Sequence, residues 1–286
     1  MSDLEGCGAL ITLYYPPPDF EIYLNSLTAS GIKVVLIDNT PGAENQFIED
    51  PSIHHIRLGR NTGLAHALNV GLSMAKALGL GRLILLDQDS RLTSGIAQVL
   101  LDHIARTPLT IAGPRLTGVQ KLFEHLTPIR GPVLLTSELP TSGMTFRISD
   151  IPEAFVFNED LFLDYVDFDA CWRLKISGIQ CHQLQDITMV HALGIGTQRV
   201  LGFPINMPRT YRHYFQFRDS LYLAKRDYVP IRQRMRLLAL LLIKFTMYPL
   251  LLPEGFQRLK WMVRGIRDYL RGITGIGALN ANDRLH

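Results

Sequence analysis

Leu83-Ile84-Leu85-Leu86-Asp87-Gln88-Asp89 is the stretch on which the fold turns. Its first four residues are wholly apolar, as suits a parallel strand covered on both faces. The strand ends on two carboxylates at i and i+2. That puts them at the carboxyl end of a sheet, where open α/β folds bind their ligands. A hard divalent cation takes oxygen ligands, and Asp87 and Asp89 would offer two, with diphosphate oxygens to complete the shell. Taken alone, two acids in a tripeptide are equally a solvated loop, so the flanking sequence has to decide.

Upstream, short apolar runs alternate with helical stretches. Gly8–Tyr14 reads as a strand, Pro16-Pro17-Pro18 as an extended exit, and Asp19–Ala29 as a helix. Ile32–Ile37 is a second strand ending on Asp38-Asn39, and Ile53–Leu58 a short third. Asn61-Thr62-Gly63 opens a helix to about Leu78, where Gly79 and Gly81 stop it. Beyond Asp89 come a helix over Thr93–Ala105 and a strand at Thr110–Ala112. This rhythm predicts an α/β fold with a mostly parallel sheet flanked by helices. After Gly113-Pro114 it changes, with Pro128, Pro132 and Pro140 and strands near Val133–Leu135 and Met144–Ile148. A helix is expected over Val166–Ser177, and from Pro230 a helical extension broken at Pro249, Pro253 and Gly255.

The composition bounds the partners. Of 286 residues, 47% are hydrophobic and 19% charged, enough for a core and too apolar for disorder. The net charge of +3 is uneven: Lys225–Gly272 holds 11 Lys or Arg against 3 Asp or Glu, leaving a mildly acidic body. No nucleic-acid partner is expected. Cys7, Cys171 and Cys181 lack metal-ligand spacing and read as reduced thiols, and Ser2-Asp3-Leu4-Glu5 is unlike a signal peptide. A cytoplasmic protein is expected. Leu237–Ile243 and Phe245–Leu252 form an apolar run interrupted by Lys244 and Pro249, short of the roughly 20 apolar residues a spanning helix needs. With Arg232, Arg234 and Arg236 before it and Arg258, Lys260, Arg264, Arg267 and Arg271 after it, the run reads as an amphipathic element at a membrane surface, at the inner face of the plasma membrane. A helical lid or a homo-oligomer interface is the competing use.

Other candidates follow from position. Asp38 ends a strand where an acid commonly meets a ribose or base, although no GxGxxG precedes it, so a dinucleotide fold is excluded at its phosphate loop. Arg60-Asn61-Thr62-Gly63 leads into Ala65, Asn69 and Gly71, small or polar residues that let a helix approach the sheet or a nucleotide. Asp164, Asp167 and Asp169 crowd a helix start, which acids favour on electrostatic grounds alone. Asp169 and Arg173 read as a helical ion pair, whereas Asp167 shares a face with Cys171 and Leu174 and would point inward as a general base. His191 is either a structural histidine or a metal ligand. An apolar strand followed by DxD also suits a haloacid-dehalogenase-type phosphatase, with Asp87 as covalent nucleophile, but three strand-helix units precede the motif and no Gly-Thr follows Asp89. A nucleotide-sugar-binding protein without turnover is the non-enzymatic alternative.

The matching strings are Ile11–Pro16, Ile37-Asp38-Asn39, Asn61–Ala65 with Ala67–Gly71, Leu86–Ser90, Ala112-Gly113-Pro114, Thr141-Ser142-Gly143, Glu159–Asp167, His191–Gly194 and Arg212–Asp219. In that order the chain resembles family 2 glycosyltransferases of the GT-A type, and within them bacterial enzymes that use dTDP-L-rhamnose. The resemblance implies a metal-dependent, inverting transfer. Asp87, Asp89 and His191 would hold Mg²⁺ or Mn²⁺, and Asp167 would be the base. Asp38, Asn39, Arg60, Asn61, Gly63, Asn69, Asp87, Gln88, Asp164 and Trp172 would contact the substrates. It divides the chain into a nucleotide-sugar-binding half (1–114), an acceptor-binding and catalytic half (115–229) and a basic tail (230–286) that touches membrane through 230–272. The implied partners are a nucleotide-sugar donor and a glycan or lipid-linked saccharide acceptor. Val166 departs from the acid many members carry there, and Phe168-Asp169-Ala170-Cys171-Trp172 departs from their acidic-Trp pair.

Overall fold

A computed structural model of the chain describes residues 6–42, 50–117, 133–190, 197–200, 203–206 and 208–277. Four parallel strands form the first half of the sheet: β1 (Cys7–Leu13), β2 (Lys33–Asp38), β3 (Ile53–Arg57) and β4 (Arg82–Asp87). The apolar strand that opened the sequence reading alternates as a two-faced strand must. Leu83 and Leu85 pack with Leu68 and Leu72 on one face, and Ile84 and Leu86 with Ile96 and Leu100 on the other. The crossovers supplying those layers are α1 (Phe20–Ala29), α2 (Leu64–Ala77) and α3 (Ser94–Arg106). Thr93 caps α3, its hydroxyl accepting from Ile96 N at 3.3 Å.

The second half completes an eight-stranded sheet with β5 (Thr110–Thr117), β6 (Val133–Thr136), β7 (Thr145–Arg147) and β8 (Gln180–Val190). The order is β3-β2-β1-β4-β7-β5-β8-β6, with β7 and β6 antiparallel to their neighbours. The β5–β8 register shifts between Pro114 and Arg115, where proline has no N–H to give the ladder. Helix α4 (Val166–Ile176) leads into β8, and a ribbon of β9 (Thr197–Val200) and β10 (Phe203–Asn206) precedes the C-terminal helices.

Those helices are α5 (Arg212–Ala224), α6 (Ile231–Leu251) and α7 (Gly255–Leu270). Helix α5, for which the sequence rhythm gave no signal, is buried along almost its whole first two turns, Arg218 and Asp219 included. Polar groups at such a site need partners, and they come from all sides. Arg212 Nη2 donates to Asp164 at 2.6 Å, Arg218 Nε to Asp219 at 2.7 Å and Tyr214 Oη to Asp268 at 2.9 Å. Arg258 Nη1 lies 2.9 Å from His213 Nε2, and Lys244 Nζ donates to Gln216 Oε1 at 2.8 Å.

The extension departs from expectation at Pro249. The helix does not break there but runs on to Leu251, and the chain turns at Leu252–Glu254. A proline two residues from a helix end removes a single ladder bond, and α7 returns so closely that a Cβ on Gly255 would lie 2.0 Å from Pro249 O. Arg258 is not on the basic flank either. It is 3% exposed and donates to the carbonyls of Pro253 and Pro208.

Candidate active site

The carboxyl ends of β1, β2 and β4 carry the first half of the site. Thr12 is in register with Asp87, and Leu13 with Asp38, so the two acids flank the end of β1 one residue apart in register. Gln88 fixes the motif to the next strand, because its Oε1 accepts from Tyr14 N at 2.8 Å and its Nε2 donates to Tyr14 O at 3.1 Å. A side-chain amide thus continues the ladder where β4 leaves it. Ser90 N donates to Asp87 O at 3.0 Å and closes the turn that holds Asp89 beside Asp87.

Asn39 joins β2 to the loop before α2. Its Oδ1 accepts from Thr62 N and Oγ1, each at 2.9 Å, and its Nδ2 donates to Gly63 O at 2.9 Å. Gly63 has φ +88°, and a Cβ there would fall 2.7–2.8 Å from Phe162. Leu64 N donates to Phe162 O at 2.7 Å, so the loop over 158–164 seats directly on the start of α2. Gly275 N, near the other end of the chain, donates to Asp160 O at 2.8 Å and holds that loop from behind.

The same loop delivers the second acid group. Tyr165 takes a left-handed φ of 68° at the N-cap of α4, turning the chain so that Asp164 and Asp167 both line one cavity. That cavity measures about 620 Å³ and is lined by Asp87, Gln88, Asp89, Thr141, Ser142, Asp164, Asp167, Arg209, Arg212 and Gln216, among others. A smaller pocket of about 190 Å³ shares Asp87 and Gln88 with it and adds Asn39, Asn61 and Gly63. Ser142 donates its hydroxyl to Asp87 Oδ2. Asp167 accepts from Phe168 N at 2.9 Å and Thr141 N at 3.2 Å. Burial pushes the Asp167 carboxyl up to about 7, against those two hydrogen bonds and helped by the charge of Asp87. A carboxyl poised near neutrality is suited to take a proton.

Several expected contacts fall elsewhere. Trp172 is 1% exposed inside the hydrophobic core and lines neither cavity, because its place five residues along the helix, well past a full turn, puts it on a different face from Asp167. Asn69 faces a different groove, exchanging hydrogen bonds with Phe157 at 2.7 and 3.0 Å and donating to Glu159 at 2.8 Å. Asp38 is fully buried, accepting from Thr40 N at 2.9 Å with His55 Nε2 3.7 Å away, and Arg60 stands exposed beside Asn61. The expected helical ion pair of Asp169 and Arg173 is present, with its acid in the core rather than on the site. Asp169 is buried, and Tyr228 Oη donates to it at 2.6 Å while Arg173 stands 3.6 Å off. His191 lies outside the described residues.

Thr141, Ser142, Arg209, Arg212 and Gln216 also line the cavity; the sequence reading matched Thr141-Ser142-Gly143 and Arg212–Asp219 to the family but gave none of these residues a role. Thr141-Ser142 sits just before an antiparallel strand, and the arginines open a helix whose burial no periodicity reveals. The oxygen donors Asp87 and Asp89 on one cavity fit a hard divalent cation. Among the described residues no three His, Cys, Asp or Glu side chains gather into a metal cluster.

The chain matches the family model described as glycosyl transferase family 2 over residues 20–159. The dTDP-rhamnosyl transferase RfbF of Shigella flexneri is 28% identical, with 96% of this chain and 98% of that protein aligned. Among solved structures, GalNAc-T7 with UDP, GalNAc and Mn²⁺ superposes with a TM-score of 0.54 at 14% identity, covering 81% of this chain. This chain spans about half of that one, 54%. Residues 1–349 of S. aureus TarS in complex with UDP-GlcNAc give 0.53 at 12% identity, covering 93% of this chain and 80% of that one. At such identities the superpositions speak for a GT-A-like fold alone.

Proposed function

We propose that this chain, which belongs to glycosyltransferase family 2, moves L-rhamnose from dTDP-L-rhamnose to a hydroxyl of a cell-surface glycan acceptor, lipid-linked in form, with inversion at the anomeric carbon. Family membership removes the phosphatase alternative. The rhamnosyl donor is supported by a relative of that name aligned over nearly its full length. One observation carries the mechanism. Asp87 from the first half and Asp167 from the second line one cavity, and burial raises the Asp167 carboxyl to near neutrality.

In this reading residues 1–114 seat the nucleotide, with Asn39, Asn61 and Gly63 along the smaller pocket. Residues 115–229 supply the base and the acceptor wall. Asp87 and Asp89, joined by His191, would hold Mg²⁺ or Mn²⁺, and that ion would neutralise charge on the departing diphosphate. Arg209 and Arg212 add positive charge to the same wall. Asp167 takes the proton of the acceptor hydroxyl as its oxygen attacks from the face opposite the leaving group, and Thr141 N and Phe168 N hold the carboxylate still. A base acts only in the transition state. Asp167→Asn is therefore expected to bind dTDP as the wild type does while turnover falls at least 100-fold. Unchanged turnover sinks the assignment, and tight dTDP binding by a wild type without turnover favours the binding-protein alternative.

The tail would rest on the inner face of the plasma membrane. Among the described residues no helix is long and apolar enough to cross one. Ile231, Met235, Leu238, Leu242 and Leu250 nonetheless stand exposed along α6, with Arg232 exposed on its first turn and Lys260 exposed on α7. Sedimentation with anionic vesicles at low salt and release at high salt are expected; a protein that ignores vesicles at both would remove this part of the reading.

A further inference from the structure

Lys244 interrupts the most apolar segment of the chain. Leu237 and Leu241 face inward from α6 and are buried, and Lys244 continues that row at i+7 and i+3. It is partly buried, and among the described residues no carboxylate forms an ion pair with it. Nζ donates to Gln216 Oε1 at 2.8 Å. An ammonium group can only donate, so the amide must turn its oxygen toward Lys244. Its NH₂ is left for the opposite side, and Gln216 is a wall of the cavity that holds Asp87, Asp89 and Asp167.

A cation drawn partly out of water opposite a neutral partner costs stability. A residue there for packing alone would be apolar, as its neighbours on the row are. The surrounding charges agree. Arg212, on the same cavity, already has Asp164 at 2.6 Å, whereas the Lys244 ammonium donates to an amide oxygen. Burial draws the Lys244 pKa down, with Asp164 pulling the other way.

We infer that Lys244 is a positioning residue of the active cavity: through Gln216 it presents amide hydrogens, backed by a fixed positive charge, to a diphosphate seated there. This rests on the glycosyltransferase reading above. The diphosphate could belong to the nucleotide donor or to a prenyl-diphosphate acceptor, which share that chemistry.

The test titrates full-length wild type, Lys244→Met, Gln216→Leu and the double variant with dTDP, thymidine and farnesyl diphosphate in Mg²⁺ buffer, beside urea unfolding. Lys244→Met is expected to keep or gain stability and to keep its thymidine affinity while losing about tenfold in dTDP affinity. Adding it to Gln216→Leu should change dTDP affinity no further, since one acts through the other. A loss confined to farnesyl diphosphate supports the same inference and assigns the diphosphate to the acceptor. Unchanged affinity for both diphosphates, additive losses in the double variant, or a destabilised Lys244→Met that also loses thymidine overturns it. A wild type that binds thymidine but neither diphosphate also overturns it, while one that binds no nucleotide overturns the donor reading itself.

Discussion

Replacing Gly63 by alanine tests whether the donor pocket is closed by backbone contact. Gly63 has φ +88° and ψ 166°, a region that residues with a Cβ essentially do not enter, at a cost of about 1–3 kcal/mol. The new methyl would also stand 2.7 Å from Phe162 Cδ2 and 2.8 Å from Phe162 O. A ring can swing away, but the carbonyl is held by Leu64 N at 2.7 Å, so overpacking adds roughly 1–3 kcal/mol. The total is about 2–6 kcal/mol. Gly79→Ala is the control, because Gly79 has φ +67° but no atom within 4 Å of an added Cβ, leaving only a left-handed penalty of about 1–2 kcal/mol. Urea unfolding of both variants, read as a midpoint change at constant slope, isolates the Phe162 contact. Titration with dTDP should show the Gly63 variant alone weakened. If Gly63→Ala loses no more stability than Gly79→Ala, the loop over 158–164 does not seat on α2, and the pocket wall has been misread.

Further outcomes are expected elsewhere in the molecule. With Asp167 raised to about 7, kcat/KM should climb with pH through an acid limb near that value, a limb absent from the residual rate of Asp167→Asn. Ser142→Ala removes the hydroxyl donated to Asp87 and should lower turnover about tenfold with little change in melting temperature; an unaltered rate would show that Asp87 is held by other contacts. His213 is fully buried, and burial with the nearby Lys244 and Arg258 charges lowers its pKa to about 3. Below pH 6.5 the unfolded chain takes up a proton that the folded chain refuses, so stability falls as pH drops from 6.5 toward 3, by about 1.4 kcal/mol per pH unit from this residue. Urea titrations of wild type and His213→Gln at pH 7 and 4.5 should converge at the lower pH.

The first half of the fold was legible because a parallel sheet writes its pattern locally. Leu83–Leu86 needed apolar residues on both faces, and Asp87 followed as a consequence of strand length. Asp167 was legible through helical phase, since Cys171 and Leu174 on its face are buried. Trp172 was not, because a resemblance over a short string carries no information about which side of a turn a neighbour occupies. Ser142 and Gln216 fall in strings matched to the family, but their roles were not legible there. Their roles depend on β7 inserting antiparallel between β4 and β5, and on α5 being enclosed by α6 and α7, arrangements set by contacts 55 residues apart for Ser142 and 28 for Gln216. Pro249 misled because its effect depends on distance from the helix end and on where the next helix returns.

The hydrogen bond from Gly275 to Asp160 has a consequence for the order in which the protein is made. Asp87 and Asp167 leave the ribosome early, whereas Arg209, Arg212 and Gln216, and finally the turn at Gly275, arrive last. A chain made only as far as α4 therefore holds Asp87 and Asp167 with one side of the cavity open to water. An activated sugar entering that side would meet solvent before it met an acceptor. By fastening the 158–164 loop with residues from the end of the described chain, the fold ties the capacity to hold a labile donor to the arrival of α5–α7.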